Sequence, residues 1–380
     1  MTLTSALRRS SLALACLAAL ACVEGGESPS CPVDEFALWT SGSLRGANLM
    51  QARNPDGPET GFGDLAFAQS DFDALAAAGA NYVHISHGGI LAEEAPYAVD
   101  PAAMENLDRL IAMAERAGLY VGIAFRSGPG RNEESLSYGE RIVDQAIFRD
   151  EEAQKAWATM LGLTALRYRD SATVVGYSVM VEPNAYGAFG HPGPDEFIAR
   201  VRGTLADVNR LHALATAAIR EFDPVTPVLL EPDGYAGVSF LATLEVSTDS
   251  RTVYTVHDFA PFYYTQQLVE GLPWPGEYDL DWDGRTEWAD ASALSDGLEP
   301  VRRFASARGV PVAVTEFGVR RHAPDAAAYL AARIPLHGAL GSWAIWLWQP
   351  AGSWDSFSLQ EASALRTVFE ENLRGTCRRP

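Results

Sequence analysis

Two glutamates stand where apolar runs stop. The stretch VPVAVTEFGV, Val310 to Val319, carries Glu316 at the end of a run long enough for a buried strand, and VGYSVMVEPN, Val175 to Asn184, does the same with Glu182. Pro183 cannot extend ladder hydrogen bonding, so the chain must turn with Glu182 at the rim. Runs of Val and Ala without alternation read as strands covered on both faces, the habit of parallel sheets. Two carboxylates facing each other across a cleft can cut a glycosidic bond: one, protonated, donates to the leaving oxygen, while the other, ionised, attacks the anomeric carbon. The plainer alternative is two rim acids that cap helices or join ion-pair networks. Arg131 and Glu231 are further charged residues beside predicted strand ends, as site groups or as a structural ion pair.

These glutamates need a frame, and the chain supplies an alternating one. SLRGANLM (43–50) predicts a strand, DFDALAAAG (71–79) a helix stopped by Gly79, and NYVHIS (81–86) the next strand. A helix over 101–118 starts on Pro101 and is followed by the strand LYVGIAF (119–125). The alternation continues with a helix over 151–168, a strand over 173–181, a long helix over 195–222, and strands at 227–231 and 251–259. Residues 260–290 have no clean period and many aromatics, which predicts a long loop at the strand ends. A helix over 291–308, the strand ending at Glu316, a helix over 325–334, the strand SWAIWLW (342–348) and a helix over 359–373 complete the count. Eight strands alternating with helices predict an α/β fold, a single-domain (β/α)₈ TIM barrel over residues 36–376, with both glutamates at the C-terminal strand ends where barrel enzymes place their chemistry.

Composition narrows the partners. The formal net charge is −20, and loss of Arg8 and Arg9 with an export segment makes it −22, which repels phosphate backbones and argues against nucleic acid. No Cys/His set has zinc-ligand spacing and no glycine-rich phosphate loop occurs, so the reading calls for no metal and no cofactor. Arg8 and Arg9 precede the apolar run Leu12 to Ala21, too short to span a bilayer, which predicts a signal peptide over residues 1–21. LAALAC, ending at Cys22, is similar to a bacterial lipoprotein cleavage box and predicts lipidation of Cys22, with simple secretion as the alternative. Residues 22–35 then read as a flexible tether, and the mature chain as an outer-membrane or cell-surface lipoprotein or a secreted protein. Of the cysteines at 16, 22, 31 and 377, the last two remain after the export segment, and an exported context lets Cys31 and Cys377 pair.

Taken in order, the strand motifs resemble those of glycoside hydrolase family five, in the clan of retaining barrel glycosidases. RGANL (45–49) is similar to the family's first-strand RGxN motif, and GANYVHIS (79–86) resembles its second-strand GxNxVRIP. GLYVGIAFRSGPG (118–130) is similar to a third strand that normally ends in LHxxPG, and HDF (257–259) to the His-x-Tyr of the sixth. TEFG (315–318) resembles the nucleophile strand and WAIWLW (343–348) the Trp-bearing eighth. The resemblance covers nearly the whole mature chain. It implies Glu182 as acid/base, Glu316 as nucleophile and His257 near the reacting sugar, with Asn48, His84 and Arg126 at motif positions as sugar-contacting candidates. From the residues themselves, Glu231 is a further rim candidate for sugar contact, and Trp346 and Trp348 share one strand face by alternation, offering apolar platforms to a pyranose, with core packing as the alternative for one of them.

Three departures stand out. Val181 occupies the place of the Asn that normally precedes the acid/base and binds the sugar 2-hydroxyl. His84 stands where the second strand usually carries Arg, and Arg126 where the third carries His, as if the two had exchanged places. A guanidinium on the third strand could still reach Glu316 and keep it ionised. The expected activity is retaining hydrolysis of a β-linked oligo- or polysaccharide of β-glucan or β-mannan type. The rivals are a catalytically weakened carbohydrate-binding barrel, motivated by Val181 and His84, and a hydrolase of another bond type, which no Ser/His/Asp or metal constellation supports.

Overall fold

The computed structural model describes residues 29–51, 67–131, 146–189, 192–349, 355–360 and 363–379. Eight parallel strands close into a barrel: β1 (Arg45–Gln51), β2 (Tyr82–His87), β3 (Tyr120–Phe125), β4 (Val174–Ser178), β5 (Val228–Leu230), β6 (Thr252–His257), β7 (Val312–Glu316) and β8 (Trp343–Ile345). Closure is made by β1, which pairs with β2 on one side and β8 on the other. Gly46 allows that closeness, because a Cβ there would lie 1.7 Å from the Tyr82 carbonyl oxygen.

Period-two alternation divides the strand residues between two cores. Leu44, Tyr82, Tyr120, Val175, Leu229, Val253, Ala313 and Ala344 pack together with Leu38 and Trp39 inside the barrel at its N-terminal end. Leu49, Val83, Ile85, Val121, Ile123, Val256 and Val314 belong to the larger cluster that includes the surrounding helices. The helices read as amphipathic elements with defined ends. In Pro101–Arg116, Asp100 accepts the Ala103 amide, Pro101 sets the first turn, and Leu107, Leu110, Ile111 and Ala114 are buried.

The N-terminal end of the barrel is plugged by a short helix, Glu35–Thr40, that sequence periodicity did not reveal. Asp34 caps it, and Trp39 is fully buried with its Nε1 donating to the Val175 carbonyl at 2.7 Å. Truncating so large a core side chain costs about 3–5 kcal/mol. Residues 29–35, expected as the end of a tether, are held in place: Cys31 N donates to the Arg378 carbonyl at 3.0 Å, Arg378 N to the Pro29 carbonyl at 2.9 Å, and Cys31 is disulfide-bonded to Cys377. The first and last described segments of the chain are thus stapled at the end opposite the strand-end glutamates. The expected signal peptide and Cys22 lie outside the described residues.

Several boundaries differ from expectation for local reasons. The helix expected over 195–222 is two, Pro194–Val201 and Val208–Arg220, because Gly203 takes φ +74° and Asp207 starts a new cap. Pro335 does not stop the helix Ala326–Leu340 near Ile334. The segment 260–290 holds a short helix, Phe262–Thr265, and a hairpin that pairs Gly276–Tyr278 with Glu287–Ala289. Among the described residues no helix is long and apolar enough to cross a membrane.

Candidate active site

Glu182 is aimed by a backbone that stays paired after β4 formally ends. Val179 N donates to the Leu229 carbonyl at 3.1 Å and Val181 N to the Phe125 carbonyl at 3.0 Å, so both flanking strands still grip the chain. Glu182 then turns with φ +51°, a left-handed conformation that costs a non-glycine residue about 1–3 kcal/mol. Two side chains hold that turn: Glu231 Oε2 accepts the Glu182 amide at 2.7 Å, and Arg131 Nη2 donates to the Glu182 carbonyl at 2.9 Å. The following loops are tied together as well, since Asp233 accepts the amides of Ala185 and Tyr186 and Tyr235 N donates to the Pro183 carbonyl at 3.1 Å.

Glu316 ends β7 and His257 ends β6. The register of these two strands shifts between Val256 and His257, so that His257 comes level with Glu316. His257 Nδ1 lies 3.0 Å from Glu182 Oε1 and 3.6 Å from Glu316 Oε2, and its Nε2 lies 3.4 Å from Glu231 Oε1. One carboxylate oxygen from each of Glu182 and Glu316 and a ring nitrogen of His257 all lie within 4.8 Å of one another. Arg126, leaving the end of β3, donates from Nη2 to Glu316 Oε1 at 2.7 Å and from Nε to Ser86 Oγ at 2.6 Å. Its guanidinium sits 4.6 Å from the centroid of the Trp346 ring.

These contacts set the proton affinities. Burial pushes Glu316 up to about 7, against the pull of His257 and Arg126 and with the help of Glu182 and Glu231. Burial also pushes Glu182 upward, but the hydrogen bond and charge of His257, with Arg126 and Arg131, outweigh it and leave this carboxyl below its usual range. Burial alone would lower His257, yet Glu316, Glu231 and Glu182 hold it well above the ordinary imidazole value. The two carboxyls therefore release their protons in two well-separated steps that belong to the pair.

The structure brings Glu182, Glu316, His257, Arg126, Glu231 and Trp346 to one end of the barrel, and corrects the sugar-contact expectation at four positions. Asn48 is fully buried, and its Nδ2 donates to the carbonyls of Thr315 (2.7 Å), Ala344 and Ile345, tying β1 to β7 and β8. His84 lies inside the barrel with Nδ1 2.7 Å from the Tyr82 hydroxyl, in space left by Gly122, and burial takes it down to about 3. Trp348 is core: its Nε1 donates to the Asp71 carbonyl at 2.9 Å and its ring meets Phe369. It does not share a face with Trp346 because β8 stops at Ile345 and alternation does not carry past it. Glu231 has no exposed surface and both oxygens face protein groups. Ser86 and Tyr235 were missed. Ser86 has only a hydroxyl at a strand end to signal it, whereas Tyr235, half-buried with its phenol raised to about 12 by burial and by the Glu182 charge, follows a turn-forming PDG.

Among the described residues two trios could hold a metal ion, Glu182 with His257 and Glu316, and Asp279 with Asp281 and Asp283. The first is crossed by a cationic imidazole and guanidinium that oppose a metal. In the second, the carboxylates accept the amides of Asp283, Gly284 and Arg285 within an exposed loop.

Comparison with known proteins places this geometry. A family model for cellulase, glycosyl hydrolase family 5, matches residues 45–352, from β1 to beyond β8. The probable glucan 1,3-beta-glucosidase A of Aspergillus niger is 24% identical over 319 residues, covering 76% of this chain and 71% of that protein. The barrel aligns with a GH5-4 broad specificity endoglucanase from Bacteroides salanitronis at TM-score 0.68 and 19% identity, over 92% of this chain and 98% of the other. It aligns with Thermotoga maritima Cel5A in complex with mannotriose at TM-score 0.66 and 20% identity, over 88% and 100% of the two chains. The structural likenesses establish the shared barrel, and the family match spans most of the sequence: the chain belongs to glycosyl hydrolase family 5.

Proposed function

We propose that this glycoside hydrolase cleaves β-glucans with retention of anomeric configuration, Glu316 acting as nucleophile and Glu182 as acid/base. The observation that carries the reading is the approach of the two carboxylates to within 4.8 Å, bridged by His257. Inverting pairs stand roughly 6.5–9.5 Å apart to admit a water between them. Glu316 attacks the anomeric carbon while the bond to the leaving oxygen breaks and takes the Glu182 proton. Water then attacks the glycosyl ester, Glu182 accepts its proton, and Glu316 departs as a carboxylate. Burial favours the proton on Glu316 while Arg126, 2.7 Å away, favours its ionised form; the active state is the singly protonated pair with its proton on Glu182, the arrangement that a leaving oxygen beside Glu182 has to select.

The substrate class rests on relatives named for glucan and endoglucanase activities, with a mannotriose complex among them leaving β-mannan as a second candidate. Aromatics beside β6 support a sugar-lined mouth: Trp282 is exposed and its ring lies 5.3 Å from Tyr263 and 5.8 Å from Phe262, a few residues after His257. A second reading, a binding barrel with weakened catalysis, draws on Val181, which is buried and offers no polar side chain to a 2-hydroxyl. Turnover of a β-glucan oligosaccharide followed by proton NMR decides. A β-configured first product supports the proposal, an α-configured one refutes retention, and no hydrolysis across a glucan and mannan panel favours the binding barrel. Export is part of the same reading: the Cys31–Cys377 disulfide suits an oxidising compartment, and labelled-palmitate incorporation that depends on Cys22 would separate a lipoprotein from a secreted enzyme.

A further inference from the structure

We propose that Glu231 is a positioning residue for the catalytic pair, holding the Glu182 amide with one carboxylate oxygen and facing the His257 imidazole with the other. The inference rests on the retaining reading of Glu182 and Glu316. Glu231 follows β5, is wholly buried, and presents Oε2 to Glu182 N at 2.7 Å while Oε1 stands 3.4 Å from His257 Nε2 and 3.5 Å from Ser178 Oγ. A fully buried carboxylate without a counter-charge is costly, and so is a buried imidazolium; each is tolerable here because the other is present.

The groups facing His257 come from every neighbouring strand end. Glu182 follows β4, Glu231 follows β5 and Glu316 ends β7; Arg126 follows β3 and is bonded to Glu316, Arg131 is bonded to the Glu182 carbonyl, and His84 of β2 lies neutral below. Asp258, next in the chain, is turned away and is paired with Arg333 and His337. Three carboxyl groups thus meet three cations, Arg126, Arg131 and His257, and while the catalytic pair holds one proton the cations already outnumber the carboxylates. Loss of the Glu231 charge would enlarge that surplus in low dielectric, and the group able to shed it is His257, since the arginines keep their protons. Glu231 therefore does two things to the acid/base. It fixes the left-handed turn that aims Glu182, and through Nε2 it keeps the His257 ring cationic, with Nδ1 facing Glu182 and Glu316.

Glu231→Gln separates the two, because a glutamine oxygen can still accept the Glu182 amide but carries no charge. Imidazole NMR, with His257 assigned through His257→Asn, reads the proton directly and needs no substrate. In the native protein His257 is expected to remain an imidazolium through neutral pH, and in Glu231→Gln to titrate at least about one unit lower. Activity on an aryl β-glucoside should show kcat falling about 10- to 100-fold with KM within about twofold, because the residue does not touch the sugar. An ordinary His257 titration in the native protein overturns the proposal even if the variant fails to fold. An unchanged titration in Glu231→Gln, or a raised KM with kcat intact, also overturns it. If instead the protein shows no glycosidase turnover while His257 titrates as expected, it is the retaining reading that fails and the Glu231–His257 coupling that stands.

Discussion

Arg126→Met removes the guanidinium that donates to Glu316 while keeping an unbranched side chain. Arg126 and Glu316 are 5% and 2% exposed, and their contact is a 2.7 Å charge-assisted hydrogen bond in a water-poor setting. Such bonds contribute about 1.5–3 kcal/mol, and at 1.36 kcal/mol per unit that is about 1–2 units of carboxyl pKa. Glu316 becomes harder to ionise and the population with the proton on Glu182 shrinks, so under the proposed roles kcat/KM on an aryl β-glucoside near pH 6 should fall about 10- to 100-fold. Glu182 also feels Arg126, which puts the result toward the lower end of that range. Both limbs of the kcat/KM profile should move to higher pH by about one unit. Stability carries a second signature. Glu316 left without its partner has a folded-state pKa raised above its unfolded value, so the folded protein binds more protons and the destabilisation grows with rising pH, toward about 3–5 kcal/mol once the carboxylate is ionised. Adding Glu316→Gln should restore the stability at high pH and leave activity abolished. A profile whose limbs stay in place, with kcat/KM within about threefold of the native enzyme, would falsify the assignment of Arg126 as a group that eases the ionisation of Glu316.

The native enzyme should show a bell-shaped kcat/KM profile with its acid limb below 4.5 and its alkaline limb at about 7, since the singly protonated pair is the active form; activity rising steadily beyond pH 8 contradicts it. Cys31→Ser with Cys377→Ser should lower the guanidinium midpoint by the equivalent of at most about 5–6 kcal/mol, with kcat unchanged because the bridge lies at the opposite end of the barrel. His212 is buried and lowered to about 3, so the unfolded chain takes up a proton below its ordinary value that the fold refuses: stability should fall as pH drops from about 6.5 toward 3, by up to about 5 kcal/mol from this residue, and His212→Leu should flatten that slope in acid-denaturation curves. Val181→Asn should lower kcat/KM by crowding a packed position, and a clear gain instead would mean that the site lacks a partner for the sugar 2-hydroxyl.

The frame was legible because each strand is an apolar run closed by a turn signal, and the two glutamates were visible because a charged residue ending such a run has nowhere to go but the barrel mouth. Position along a strand is local information. What fails is anything that depends on where a strand stops pairing or on what lies across the barrel. Trp346 and Trp348 look equivalent by alternation, yet β8 ends before both and one ring turns to Arg126 while the other turns to Asp71 and Phe369. Asn48 sits in a motif suggestive of sugar contact and spends its amide on carbonyls 267 and more residues away. Glu231 could be singled out as a rim acid, but its partner is a backbone amide 49 residues earlier, exposed by a left-handed turn that no local pattern announces. The hairpin in the excursion after β6 was missed for a related reason, since strands of three residues carry too little periodicity to read.

The exchange of arginine and histidine between the second and third strands makes sense as one electrostatic rearrangement. From β3, Arg126 reaches Glu316 and finds its second acceptor in Ser86 at the end of β2, so the two strands still cooperate on Glu316. His84, displaced inward and kept neutral by burial, brings no charge to the cluster and can sit below it without opposing His257. At the level above, the charged groups face partners: Glu231 lies beside the imidazolium, Arg126 donates to Glu316, and Arg131 donates to the Glu182 carbonyl. A decaying site loses partners one at a time and leaves buried charges orphaned, which is expensive. Here each ionised side chain of the cluster faces an opposite charge or a polar partner, and that completeness is the physical reason to regard Val181 as part of a rebuilt centre rather than as its first loss.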